Sequence, residues 1–213
     1  MSHHPDLIDD IYMTEVGQKK LSHNKDHSVT LVGMSDLKEM SALKSNMDGL
    51  ALIKMPPIEE WPQSLDRLGV FLDGVRDPGN MGTILRICDW FGIVQLWLSS
   101  DCVDIYNPKC VQASMGSLAR VEFRQKALAE IRQRYSMVNI IGTAMDGTNY
   151  RSVKLNYPTI IVFGNESQGV RERTYENLDE KICIPRIGKT AESLNVAVTA
   201  GILLAHYTGS AHH

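Results

Sequence analysis

Three short segments carry the residue types from which chemistry could be built. They are LDGVRDPGNMGTILR (Leu72 to Arg86), VFGNESQG (Val162 to Gly169) and IPRIGKTAESLNVAV (Ile184 to Val198). Each sets Gly, Asn, Ser or Glu directly after a short apolar run. In an open α/β protein that junction is the carboxyl end of a strand, where ligand sites form. Three such junctions point to one composite site built from distant loops. In the first segment, Asp77-Pro78-Gly79 is a turn signature, and Asn80 is placed to cap the helix that follows. Met81, Ile84, Leu85 and Cys88 recur at i, i+3, i+4 and i+7, the core-facing stripe of that helix. Arg86 lies off the stripe, so its guanidinium is free for an anion such as a phosphate or for a plain surface ion pair.

The second segment places Gly164 after a buried strand, where a missing side chain would let a ligand approach the backbone. Glu166 opens the next helix, a position that also suits a simple first-turn carboxylate. In the third, Ser193 is placed to cap a nearly all-apolar helix, Leu194 to Ala205. Asn195 is polar within its first turn and needs a partner there.

The elements that position these residues follow from apolar patterning. Strand-like runs occur at 68–72, 93–98, 138–141, 159–163 and 182–184, with helix-length stretches at 81–91, 108–117, 125–135, 167–176 and 194–207. Continuously apolar strands alternating with helices predict a mostly parallel sheet covered by helices on both faces. Residues 1–65 differ: six Lys/Arg against ten Asp/Glu, a helix expected at 36–44, a strand at 50–54, and prolines 56, 57 and 62 marking a linker. The division expected is a front appendage over 1–65 and a catalytic domain over 66–213.

The three segments, in this order, resemble the SpoU (TrmH-type) family of RNA methyltransferases in the SPOUT superfamily, and NPKCVQASMGSLARVEF (Asn107 to Phe123) matches as well. The resemblance covers roughly the last two thirds of the chain. It implies an α/β fold with a carboxyl-terminal trefoil knot, and S-adenosylmethionine-dependent methylation of a ribose 2′-hydroxyl in rRNA or tRNA. It carries catalytic roles to Arg86, Asn80, Glu166, Ser193 and Asn195, with Arg86 foremost, either relaying a proton with a substrate phosphate or fixing that phosphate. Cofactor contacts are implied at Gly164, Ile184 and Leu194, with Thr143 and Ala144 as further contacts. A homodimer is implied too, and a front segment similar to the second half of a small RNA-binding domain. The loop between Pro185 and Ser193 departs from the family by about one extra residue, and Arg186 stands where Met is frequent.

Composition sets the remaining bounds. A chain of 213 residues with 43% apolar content can bury one good core. No stretch is apolar for long enough to cross a bilayer, and the acidic amino terminus is unlike a signal peptide, so a cytoplasmic protein is expected. Cys88, Cys102, Cys110 and Cys183 lack paired spacing, and His3, His4, His212 and His213 sit at the termini, so no metal site is expected. The net charge of −3 does not advertise nucleic-acid binding, although the acidity belongs to the front segment. Gly188-Lys189-Thr190 ends like a phosphate-binding loop, but Cys183 stands where that motif needs Gly. The dinucleotide fingerprint is absent. Two rival readings remain: an RNA-binding protein that keeps the knotted fold without turnover, and a methyltransferase acting on a base.

Overall fold

A computed structural model describes residues 7–20, 28–41, 48–55, 61–165, 167–190 and 192–209. The chain divides into two compact units, Met1–Ile58 and Glu59–His213. The first is a three-stranded sheet of order β2-β1-β3, with β1 Ile8–Met13, β2 Val29–Leu31 and β3 Gly49–Ile53. Helices α1 (Glu15–Lys20) and α2 (Met34–Met40) accompany it, and Ile11, Met13 and Leu37 form its buried centre. The expected helix at 36–44 starts earlier and stops at Met40, where Ser41 turns extended. Strands β1 and β2 and helix α1 escape the pattern because three to six residues give too few repeats to tell a strand from a helix.

The second unit is a six-stranded sheet in which every pairing is parallel. Its elements run β4 Leu68–Asp73, α3 Pro78–Trp90, β5 Gln95–Leu98, α4 Pro108–Ser114, β6 Glu122–Gln125 and α5 Leu128–Arg134. They continue with β7 Asn139–Asn149, β8 Thr159–Gly164, α6 Glu172–Tyr175, β9 Glu180–Cys183 and α7 Val196–Gly209. The strand order is β6-β5-β4-β8-β7-β9. Strands β4 and β8 are buried on both faces, and their side chains alternate between two cores. Val70, Leu72, Ile161 and Phe163 join α3 and α7 on one face. Phe71, Ile160 and Val162 meet Trp97 and Ile131 on the other. The α3 stripe of Met81, Ile84, Leu85 and Cys88 is wholly buried, and burial pushes the Cys88 thiol up to about 12.

Four local readings change. Strand β6 joins the five expected strands; Glu122, Arg124 and Gln125 leave it one apolar residue, the polar dress of an edge strand. The helix expected over 108–117 breaks at Met115 and Gly116, both at positive φ. The one expected over 167–176 shrinks to Glu172–Tyr175, since Asn165 and Gly169 exchange backbone hydrogen bonds in a closed turn. Strand β7 runs on to Asn149, with a register break between Thr143 and Thr148 opposite Ile182. At that break a Cβ on Gly147 would lie 2.6–2.8 Å from backbone atoms of Ile182. Gly147→Ala should therefore destabilise the protein by about 1–3 kcal/mol, since backbone cannot yield as a side chain does. A urea midpoint that falls at unchanged slope checks this.

Candidate functional site

The carboxyl ends of β4, β8, β7 and β9 lie side by side, because Asp73 pairs with Gly164, Gly142 with Val162 and Thr143 with Ile182. A cavity of about 860 Å³ opens there, walled by the turn after β8, the β7 break, the loop after β9 and the start of α7. Thr143, Ala144, Gly164, Ile184 and Leu194, from three separate stretches of chain, all line it, and so does Ser193. Ile182, Val196 and Leu203 supply an apolar floor, while Asp146, Gln168, Arg186 and Glu192 add polar groups. Asp146 pairs with Lys181 at 2.5 Å, and that ammonium holds its carboxyl below the ordinary range.

Gly164 is needed for a reason other than ligand approach. A Cβ there would fall 2.0–2.3 Å from the backbone of Gly169 and Val170, so the chain itself fills the space. Two helix caps also differ from expectation. The N-cap of α3 is Asp77, whose carboxylate accepts the N–H of Asn80 at 2.7 Å. Helix α7 is capped by Asn195, not Ser193: Asn195 Oδ1 accepts from Ala197 at 2.9 Å and from Val198 at 3.3 Å. Capping turns the other end of the Asn195 amide toward α3, where Nδ2 donates to Asn80 Oδ1 at 2.8 Å. The first and third segments are thus joined by one amide pair. Ile87, a heptad from Asn80, continues the seam to within 3.7 Å of where a Cβ on Gly201 would sit.

Arg86 points away from this seam. It is exposed and, among the described residues, makes no hydrogen bond or ion pair, and it shares the outer face of α3 with Thr83 and Trp90. It does not line the cavity. Glu166 lies outside the described residues. Among those described, no group of three or more His, Cys, Asp or Glu could hold a metal ion, and no helix is long and apolar enough to cross a membrane.

Residue order alone did not single out a polar cluster at the end of β4. Asp73, 1% exposed at the end of β4, receives the side chain and backbone N–H of Arg171. Arg171 Nη1 also donates to Asp101 at 2.8 Å. Burial opposes ionisation of Asp101, but the Ser99 hydroxyl and the Arg171 guanidinium outweigh it and hold its carboxyl below the usual range. The signal was available in Asp73, an acid directly after an unbroken apolar run; its partner, 98 positions away, had none.

Fold and site together define a parallel α/β domain with a small-molecule cavity at the carboxyl edge of its sheet. The chain belongs to the SpoU rRNA Methylase family, whose profile matches residues 67–205. A 23S rRNA (guanosine(2553)-2′-O)-methyltransferase of Bacillus subtilis is 32% identical over 143 residues, 66% of this chain and 57% of its own length. A TrmH-family protein from Porphyromonas gingivalis superimposes with a TM-score of 0.80 at 33% identity, covering 94% of this chain and 82% of that one. An rRNA methyltransferase from Sinorhizobium meliloti with AdoMet bound gives 0.79 at 26% identity over 95% and 80%. The matched stretch spans about three fifths of the length of the first curated relatives, 60% for one from Synechocystis.

The dual use of Asn195 is testable. Asn195→Ala loses the cap and should cost about 1 kcal/mol of stability. Asn195→Asp keeps both accepted hydrogen bonds of the cap but loses the Nδ2 donor to Asn80 Oδ1, so it should cost about 0.5 kcal/mol, less than Asn195→Ala, which loses cap and bridge together. Thermal denaturation of the two variants side by side measures the difference.

Proposed function

We propose that this protein is a methyltransferase that uses S-adenosylmethionine to methylate a ribose 2′-hydroxyl in rRNA or tRNA. The observation that carries the reading is the convergence of Thr143, Ala144, Gly164, Ile184 and Leu194 on one cavity, tied by the Asn80–Asn195 amide pair to the helix that bears Arg86. The cavity suits the cofactor. Its volume falls within the roughly 300–1,000 Å³ of small-molecule sites, and apolar Ile184 and Leu194 alternate with main chain at Gly164 and Gly169. Ile184 and Leu194 would flank the adenine, with neighbouring backbone groups reading its edge. When bound, the cofactor supplies a methyl group activated on a sulfonium.

The chain's own residues then have to align a weak nucleophile and remove its proton. The ribose oxygen gains the bond to the methyl carbon as the carbon–sulfur bond breaks, and sulfur keeps the electron pair. The hydroxyl proton leaves to a phosphate oxygen or to water. An arginine guanidinium keeps its proton in proteins, so the side chain type is unsuited to act as the base by itself. On Arg86 the exposed guanidinium, without a partner among the described residues, suits a substrate phosphate, held either as proton acceptor or only as an anchor. The amide pair Asn80–Asn195 keeps α3 and α7 in step, and Ser193 stands at the cavity rim. The relatives' names favour ribose over base, and the S. meliloti protein's bound AdoMet favours turnover over a catalytically silent scaffold.

The same reading includes a homodimer, in which exposed Val198 and neighbouring residues of α7 are covered, and a carboxyl-terminal trefoil knot. It also includes action in the cytoplasm and a front part, ahead of about residue 65, that serves in RNA binding.

Calorimetry should detect S-adenosylmethionine binding without RNA, and a hundredfold excess over Kd should add about 2.7 kcal/mol of stability. No heat and no stabilisation would refute the reading. Arg86→Ala should abolish methyl transfer to RNA while leaving cofactor affinity unchanged, since Arg86 lies outside the cavity. Arg86→Lys separates its two roles: restored activity means charge alone fixes the phosphate, and failure means the planar fork is needed.

A further inference from the structure

The turn between β8 and α6 forms one wall of the cavity through Ser167, Gln168, Gly169 and Val170. Of these only Val170 is buried. Apolar packing therefore does little to fix the wall, and segments of that kind open first unless something else ties them down. Here both ends are tied to two consecutive residues of another strand's end. At the entrance, Asn165 Nδ2 donates to the carbonyl of Gly74 at 2.7 Å. At the exit, Arg171 donates its backbone N–H to Asp73 at 2.9 Å and its Nε to the same carboxylate at 2.7 Å. The guanidinium reaches on to Asp101, which the Ser99 hydroxyl orients from 2.9 Å, and Ser99 in turn accepts the N–H of Gly74 at 2.8 Å.

We propose that Arg171 is a positioning residue for methyl transfer. By spanning Asp73 and Asp101 it holds the wall made by Asn165 and Ser167–Val170 against the strand end that leads into Asn80 and Arg86. The proposal rests on the methyltransferase reading and adds to it a group that touches neither cofactor nor RNA. The spanning role needs a guanidinium. Its fork meets two carboxylates at once, whereas a lysine ammonium is a single point charge on a flexible stem. An exposed ion pair would be worth little, but Asp73 is almost wholly out of solvent and has no comparable partner if the fork is lost.

The test is Arg171→Lys in the full chain, with S-adenosylmethionine as the probe and circular dichroism to establish folding at the working temperature. Cofactor binding should weaken at least about fivefold. Amide exchange should quicken at Asn165 and Gly169, which bond each other across the turn, while Ile161 and Val162 in β8 keep their protection. Unchanged affinity overturns the proposal. So does exchange that rises evenly through β8, because Arg171 would then hold the core and not the wall. Should Arg171→Lys fail to fold, Asp101→Asn decides, since it leaves the Asp73 contacts intact. A smaller change in the same direction upholds the staple, and wild-type affinity with wild-type exchange at Gly169 overturns it. Failure of the unaltered protein to bind the cofactor is a separate result that sinks the methyltransferase reading itself.

Discussion

Six strands running the same way put every carboxyl end on one edge, and the rest of the molecule follows from that constraint. Connections between parallel strands must cross back over a face, so neighbours in the sheet come from distant parts of the chain. Strand β8 lies between β4 and β7, and β7 between β8 and β9. The registers end these strands at nearly one level. Four exits therefore open together, and a cavity forms where loops rise from adjacent strands. A sheet with one of these strands reversed would send a wall of the site to the opposite edge.

The walls are set by backbone meeting backbone. At Gly164 the chain of Gly169–Val170 occupies the place of a side chain, and at Gly147 the main chain of Ile182 does the same. Such contacts have no slack, since main chain cannot change rotamer. The loops are thus located by strand register and by a few polar ties, among them the Asn80–Asn195 amides and the Asp73–Arg171 pair. Side chains facing the cavity are left to meet a ligand.

Much of this was readable from residue order. The apolar runs of β4 and β8 carry their own burial on two faces, and the α3 stripe announced its buried side. The three glycine-rich junctions could be placed at strand ends because Gly, Asn and Ser there interrupt uniformly apolar sequence. What the residues did not disclose are interactions between distant positions. The cap of α7 was expected at Ser193, with Asn195 a first-turn amide in need of a partner, and only the contacts of Asn195 with Ala197 and Asn80 show that one side chain caps and bridges together. Gly164 looked like an opening for a ligand because a missing side chain does not say what fills the gap. Strand β6 stayed hidden since edge strands shed the apolar signature by which strands are recognised. Arg86 could be set off the core stripe by periodicity, but its distance from the cavity wall depends on helix placement, which periodicity does not supply.

The amide contact between Asn80 and Asn195 joins positions 115 residues apart. On a ribosome adding about 5–20 residues each second, the first amide waits roughly 6–23 s for its partner to be made. During that interval α3 exists without the helix that covers one of its flanks, and the sheet can be complete while its cavity lacks the wall begun by Ser193 and Leu194. The pocket is therefore among the last features of the nascent protein to exist. A chain stopped between β9 and α7 would hold all of the strand pairings yet lack the start of α7 that closes the cavity.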